Sequence, residues 1–259
     1  MPYPFSYFSS LISPHKIFGN RHLLTLWQRL FTTIFLIALL VIPSSLQTVT
    51  LKTYPLDNFV EGVYDPLTDE VMTDLSQHIQ VTDGQLTYTG NKTYENITFG
   101  DQISTSSGFS YQFQTDRLLI RKGESLLVDV PYQDFSSRDF ADKDSLSAAI
   151  SRVWYQQNRI PVSLSITFVS AFILAANMLF ILLGATFFLY LTKKSKLFHF
   201  NSFKECYNFS LNCLGLPTII ACLVGFFGQP LTTLITTQNI LFVLLLIWVF
   251  FKTKFRDRT

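Results

Sequence analysis

Four stretches of this chain carry no charged residue, and the polar language falls between the first and the second of them. The most regular is 162–192, where Leu, Ile, Phe, Val and Ala run without a charge from Arg159 to Lys193. Such a run predicts a membrane-spanning helix. At about 1.5 Å per residue it measures roughly 45 Å against roughly 30 Å of hydrocarbon, so it tilts or reaches into both headgroup layers. An apolar run over 30–47, behind Trp27, predicts the first span. Ser44 and Ser45 would also suit a signal peptide, but the lead-in is long and no A-x-A site follows. Between Glu205 and Lys252 lie 46 uncharged residues, too many for one span. They divide at Gly228-Gln229-Pro230 into spans over 206–227 and 232–251.

Residues 48–161 read differently, with apolar positions alternating or helically spaced. Asp65-Pro66 predicts the N-cap and first residue of a helix running to about His78, with Val71, Leu75 and Ile79 on one face. Residues 79–88 alternate around Asp83-Gly84, the pair that closes a type I′ hairpin. Further strands fall at 110–114, 117–121 and 125–130, the last two joined through Lys122-Gly123-Glu124, giving an antiparallel sheet with a helix on it. Over 144–158, Leu146, Ala149, Ile150, Val153 and Trp154 recur at helical spacing, and this helix is expected to continue into the 162–192 span. The fold class is therefore a helical membrane protein, four transmembrane helices with an extracytoplasmic α+β domain inserted between helices 1 and 2.

Charge orients this map. Residues 48–161 hold nine Lys and Arg against sixteen Asp and Glu, net −7, and the remainder is +9. Bases cluster at the opposite ends of the spans: the loop 193–205 with Lys193, Lys194 and Lys196, and the tail 252–259 with Lys252, Lys254, Arg256 and Arg258. The positive-inside rule puts both termini in the cytoplasm of a multi-pass protein of the plasma membrane. Lipid headgroups account for these bases beside apolar spans, so the partner is the bilayer and not nucleic acid. Residues 1–29 contain Lys16, Arg21 and Arg29 and no acid, with Phe5, Phe8, Leu11 and Ile12 near helical spacing. They read as a cytoplasmic amphipathic segment broken at Pro14 and Gly19, a juxtamembrane lead-in or a partner-binding element. Cys206, Cys213 and Cys222 all fall in the third span, leaving 48–161 without a disulfide framework. At 114 residues that domain is large enough to bury its own core.

Catalytic signatures do not emerge. There is no H-E-x-x-H, no phosphate loop and no G-x-S-x-G, and His15, His22, His78 and His199 stand apart from Cys and carboxylates at ligand spacing. No cofactor, metal or enzymatic activity is expected. The spans hold no ionisable group, but they hold amides: Asn177, then Asn208 and Asn212 one turn apart, then Gln238 and Asn239. Helix-to-helix hydrogen bonding is one use for them; a polar pathway for a small neutral solute, lined by Asn177, Asn208 and Asn212, is the other. Ala171, Ala175, Ala176, Gly184 and Ala185 allow close helix approach beside Asn177. Pro217 removes a backbone hydrogen bond and should kink the third span near Cys213. Tyr88, Tyr94, Phe99, Tyr111, Phe113 and Tyr132 could stack on sugar rings, although aromatics on strands are usually core. Asn91-Lys92-Thr93 and Asn96-Ile97-Thr98 match glycosylation sequons, which matter only in a eukaryotic secretory pathway.

With this layout, three short motifs acquire meaning. They are Pro4-Phe5-Ser6-Tyr7-Phe8 through Ser13-Pro14-His15-Lys16-Ile17 before the first span, Asp83-Gly84 outside, and Leu214-Gly215-Leu216-Pro217-Thr218 in the third span. On them and on its layout, the chain resembles, over nearly its full length, the MalA-type maltodextrin-utilisation membrane proteins of low-GC Gram-positive bacteria, a family without an established activity. The resemblance implies the cytoplasmic membrane and an association with sugar uptake, and supplies no catalytic residues. The expectation is a non-enzymatic accessory or partner-binding protein of the envelope, associated with maltodextrin uptake and with a carbohydrate transporter or another membrane protein. The alternative is the small-solute permease.

Overall fold

A computed structural model describes residues 3–102, 104, 106–195 and 198–257. Lys196 and Arg258, counted above among the basic flanks, lie outside the described residues. The chain divides into two compact units, one of Met1–Thr50 and Ser163–Thr259, the other of Leu51–Val162.

In the first unit, four helices are long and apolar enough to cross a membrane: α3 (Leu26–Thr50), α6 (Arg159–Leu191), α7 (Phe203–Gly225) and α8 (Leu231–Thr253). They are preceded by two short helices, α1 (Phe5–Ser10) and α2 (Pro14–Gly19), and a 3₁₀ turn, Asn20–His22. Buried area ranks the four. The apolar stretch of α7 is 72% buried, against 28% for α3 and α8 and 17% for α6. α7 is thus the helix around which the others assemble, and α6 buries one narrow face through Leu174, Met178, Leu182 and Leu189. Glycine permits close approach of α3 and α8 to α7: a Cβ on Gly225 would sit 2.8 Å from Pro43 of α3 and 3.1 Å from Leu234 of α8.

In Leu51–Val162, α4 (Asp69–His78) leads into the hairpin β1 (Ile79–Thr82) and β2 (Gln85–Tyr88). Asp83 and Gly84 take φ 51° and 73°, the left-handed pair that a type I′ turn requires. The helix begins later than Asp65-Pro66 suggests, because the Thr68 side chain accepts from Val71 N and Asp69 and Glu70 fill the first turn. A second sheet runs in the order β3 (Ile97–Phe99), β4 (Phe109–Phe113), β5 (Arg117–Lys122), β6 (Ser125–Pro131). The expectation of one antiparallel sheet needs correction twice over. The hairpin forms its own two-stranded sheet, and β3 pairs parallel to β4, Ile97 opposite Tyr111 and Phe99 opposite Phe113. A three-residue strand has too little periodicity to announce itself, yet this register delivers both apolar residues to the core. There Tyr111, Phe113, Leu118, Ile120, Val128 and Val130 meet α4 and the amphipathic face of α5 (Lys143–Gln157). Asp142 caps α5 by accepting from Ser145 N at 2.7 Å.

α5 does not run on into α6. Asn158 leaves helical geometry at φ −107°, ψ 20°, its amide donating back to Trp154 O at 2.9 Å in competition with the helix ladder. Pro161 then falls in the first turn of α6, where its missing N–H costs little.

One buried charge ties α4 to the hairpin. Asp74 is 4% exposed; it accepts from Tyr88 Oη at 2.6 Å and faces His78 Nδ1 at 3.0 Å. Burial pushes its carboxyl up, but the Tyr88 hydrogen bond, the nearby Tyr94 phenol and the charges of His78 and Lys92 outweigh that, leaving it below its ordinary value. Tyr88 in turn stacks on Phe99 at 3.6 Å, joining the two sheets. A carboxylate with a lowered folded pKa stabilises the fold above its unfolded pKa, and that contribution is lost as pH falls through the folded value. Tyr88→Phe should therefore cost about 1–3 kcal/mol at neutral pH, with the gap to the wild type closing as the pH is lowered into the acid range and through the depressed Asp74 value. Thermal unfolding of the purified protein across that range checks both the size and the direction.

Candidate functional site

The polar chemistry of the helical unit is organised by one face of α7. Its start is fixed locally: Ser202 Oγ accepts from Glu205 N at 3.2 Å, and Glu205 Oε2 accepts from Asn201 N at 3.0 Å, a reciprocal cap. One turn apart beyond Glu205 come Asn208 and Asn212, both fully buried. Asn208 Nδ2 donates to Arg21 O at 2.8 Å and Leu24 O at 3.3 Å, and Asn212 Nδ2 donates to Ile17 O at 3.2 Å.

Asn208 reaches carbonyls just past α2, and Asn212 reaches one that a short helix leaves unsatisfied. The last carbonyls of α2 have no partner within so short a helix. Asn20 N takes those of Lys16 and Phe18, Asn212 takes that of Ile17, and the Arg21 guanidinium adds a second donor to Phe18 O at 3.1 Å. α7 therefore caps the N-terminal segment with side-chain amides. Tyr7 completes the docking by donating to Leu211 O at 2.9 Å. Gly215 makes room for it, since a Cβ there would lie 2.6 Å from Tyr7 Oη and 2.7 Å from Leu11. Leu11, Ile17 and Phe18 are buried against this surface. The segment thus packs as part of the helical unit, Pro14 starting α2 rather than ending a helix.

Among the described residues Arg21 is the largest fully buried side chain, 1% exposed. Its Nη2 reaches both carboxylate oxygens of Asp257 at 2.8 Å, its Nε lies 3.7 Å from Glu205 Oε2, and its guanidinium sits 4.1 Å over the Phe18 ring. His22 Nδ1 is 3.6 Å from Glu205 Oε1. His199 Nδ1 accepts from Asp257 N at 3.1 Å and lies 3.3 Å from Asp257 Oδ2. Burial pushes the Asp257 carboxyl up; the hydrogen bonds and charge of Arg21, with His199, overcome it and hold it below the ordinary range. The tail reaches Arg21 through a strained turn: Lys254 and Phe255 both sit at φ 52°, and the burial of Phe255 among Phe18, Phe200 and Phe209 holds them there. The sequence places no histidine in a metal-ligand pattern, and the fold gives His22, His78 and His199 one carboxylate neighbour each. Their partners lie too far along the chain, or, for His78, too plainly on an ordinary helix, for spacing to reveal them.

The remaining polar positions are placed apart from this surface. Asn177 of α6 and Asn239 of α8 exchange a reciprocal amide pair at 3.2 and 3.3 Å. Gln238 donates to Thr218 Oγ1 at 2.8 Å, joining α8 to α7. Asn208 and Asn212 thus share a face, and Asn177 belongs to a different contact. Pro217 stays within an unbroken α7, lining a shallow apolar groove with Leu216, Ile220, Leu244 and Trp248. Cys206, Cys213 and Cys222 are buried free thiols.

The Leu51–Val162 unit offers a cleft of about 490 Å³ flanked by Asp57, Asp65, Asp144 and Lys143 around Tyr64. The Tyr64 hydroxyl is used internally, within 2.8 Å of Ser151 Oγ and 3.1 Å of Ser147 O, and burial pushes it up to about 12 against the Ser151 hydrogen bond. Of the six aromatics that could stack on sugar rings, Tyr111, Phe113 and Tyr132 are buried in the core, and Tyr88, Tyr94 and Phe99 are partly buried against it. No group of three or more His, Cys, Asp or Glu is placed to hold a metal among the described residues.

No protein-family model matches the chain, and no solved structure does. Over 260 aligned residues, 99% of this chain and 98% of the other, it is 48% identical to the maltodextrose utilization protein MalA of Streptococcus pneumoniae (strain ATCC BAA-255 / R6). The chain belongs to the MalA family. Two of the short motifs that suggested MalA kinship prove to be in contact, Tyr7 of the opening stretch resting on Gly215 of α7. What spacing could not show in this MalA-family chain is the ionic node of Arg21, Glu205 and Asp257, whose members read as ordinary flank charges.

Removing Arg21 leaves the buried Glu205 short of a cation and Phe18 O short of a donor. Arg21→Met should destabilise the detergent-solubilised protein by about 2–4 kcal/mol. Asp257→Asn, at a half-exposed position, should cost about 1 kcal/mol or less. Denaturant unfolding of the two variants side by side checks the order.

Proposed function

We propose that this MalA-family chain is a non-enzymatic accessory protein of maltodextrin utilisation, spanning the cytoplasmic membrane four times. Both termini are cytoplasmic and Leu51–Val162 lies outside. Several observations support this reading. The basic residues concentrate in the loop after α6 and the tail after α8, and the acidic block lies in the segment between α3 and α6. A relative covering the whole chain is named for maltodextrose utilization.

The observation that carries the accessory role is how the span amides are used. Asn177, Asn208, Asn212 and Gln238 each donate within the chain, where they fix helix contacts and cap the N-terminal segment. A solute path needs donors and acceptors turned toward the solute, so these bonds weigh against the permease reading. Such a unit presents rigid helical faces to a neighbour, and a carbohydrate transporter or another membrane protein is the partner proposed for it.

Affinity purification in mild detergent, paired with uptake of labelled maltodextrin by a deletion strain, tests the proposal. The expected result is co-purification of a membrane partner and reduced uptake, restored by the wild-type chain. A protein that emerges alone and monomeric, with uptake unchanged on deletion, would overturn it.

A further inference from the structure

Tyr54, Phe59 and Trp154 form an aromatic trio on Leu51–Val162, in which the partly buried Trp154 also packs against the core. Phe59 meets Tyr54 edge-on at 5.5 Å and Trp154 tilted at 5.5 Å, yet it is 44% exposed. Leu51 is exposed as well. Neither the Tyr54 hydroxyl nor the Trp154 indole N–H has a hydrogen-bond partner among the described residues, so both polar tips are available. An apolar body with an unused polar tip is the combination that the membrane-water interface favours.

Position along the chain brings this trio close to the bilayer. Tyr54 is four residues past Thr50, where α3 ends, so it lies within about 14 Å of that helix end even if fully extended. Trp154 stands in the last turn of α5, five residues before α6 begins. Charge agrees: in a segment that is net −7, the first and last bases are Lys52 and Arg159, one at each junction, where phosphate groups lie.

We infer that Tyr54, Phe59 and Trp154 rest in the headgroup layer of the outer leaflet, a lipid-contact surface on the outer unit. The inference rests on the membrane reading above and adds a lipid-binding role to a domain otherwise surrounded by water.

Tryptophan fluorescence in reconstituted vesicles tests it, because the chain has only Trp27, Trp154 and Trp248. The probe is phosphatidylcholine and phosphatidylglycerol vesicles whose acyl chains are brominated near the glycerol backbone or near the chain end. In the W27F/W248F variant, Trp154 should be quenched about twofold more by shallow bromines than by deep ones, as an interfacial aromatic would be. Adding Phe59→Ser should reduce that quenching and increase quenching by aqueous iodide. The W27F/W154F variant reports Trp248 on α8. If Trp248 is quenched by brominated lipid and Trp154 only by iodide, the lipid-contact surface is wrong while the spans stand. If Trp248 is not quenched either, the membrane reading itself fails.

Discussion

The contacts between α7 and the N-terminal segment answer a simple constraint: an amide donor or a carbonyl taken out of water is costly unless it finds a partner. α7 carries Glu205, Asn208 and Asn212 on the surface that the N-terminal segment covers. α2 is too short to satisfy its own C-terminal carbonyls. Each deficit meets the other. The six-residue helix acquires a defined end, and the central helix acquires acceptors for buried amide donors. Without this exchange the amphipathic residues Leu11, Ile17 and Phe18 would favour the interface for their apolar side chains but would have no fixed seat.

The ionic node extends the same logic to the tail. A guanidinium that is 1% exposed is tolerable because two carboxylates and a carbonyl surround it, and because the Phe18 face covers it. The strained turn at Lys254 and Phe255 is held by aromatic burial. N-terminal segment, central helix and tail are thereby one packed surface. This surface is packed, whereas only 17% of the apolar stretch of α6 is buried.

The long-range hydropathy pattern carried the four helices, because apolar composition over twenty residues is a coarse signal that packing does not disturb. Asp83-Gly84 was equally legible, its two positive-φ residues specifying a turn with no help from elsewhere. Other features depended on partners distant in sequence. Arg21 and Asp257 are separated by 236 positions, so nothing local distinguishes them from flanking charges. The parallel β3 was hidden by its length, the true start of α4 by the competing Thr68 cap, and the break before α6 by Asn158 bonding its own helix. Asn208 and Asn212 stand out in the sequence as amides one turn apart in an apolar span, and only the fold shows that their acceptors are backbone carbonyls of the N-terminal segment.

Limited trypsin digestion of the detergent-solubilised protein addresses the central claim, that the α7 amides hold the N-terminal segment in place. Lys16 and Arg21 lie within the segment and report its release directly. The wild type should resist cleavage at both, and the Asn208→Leu/Asn212→Leu variant should be cut there while the fragment containing α7 and α8 stays intact. Equal resistance in the two proteins, or rapid cleavage of the wild type at Arg21, would contradict the account.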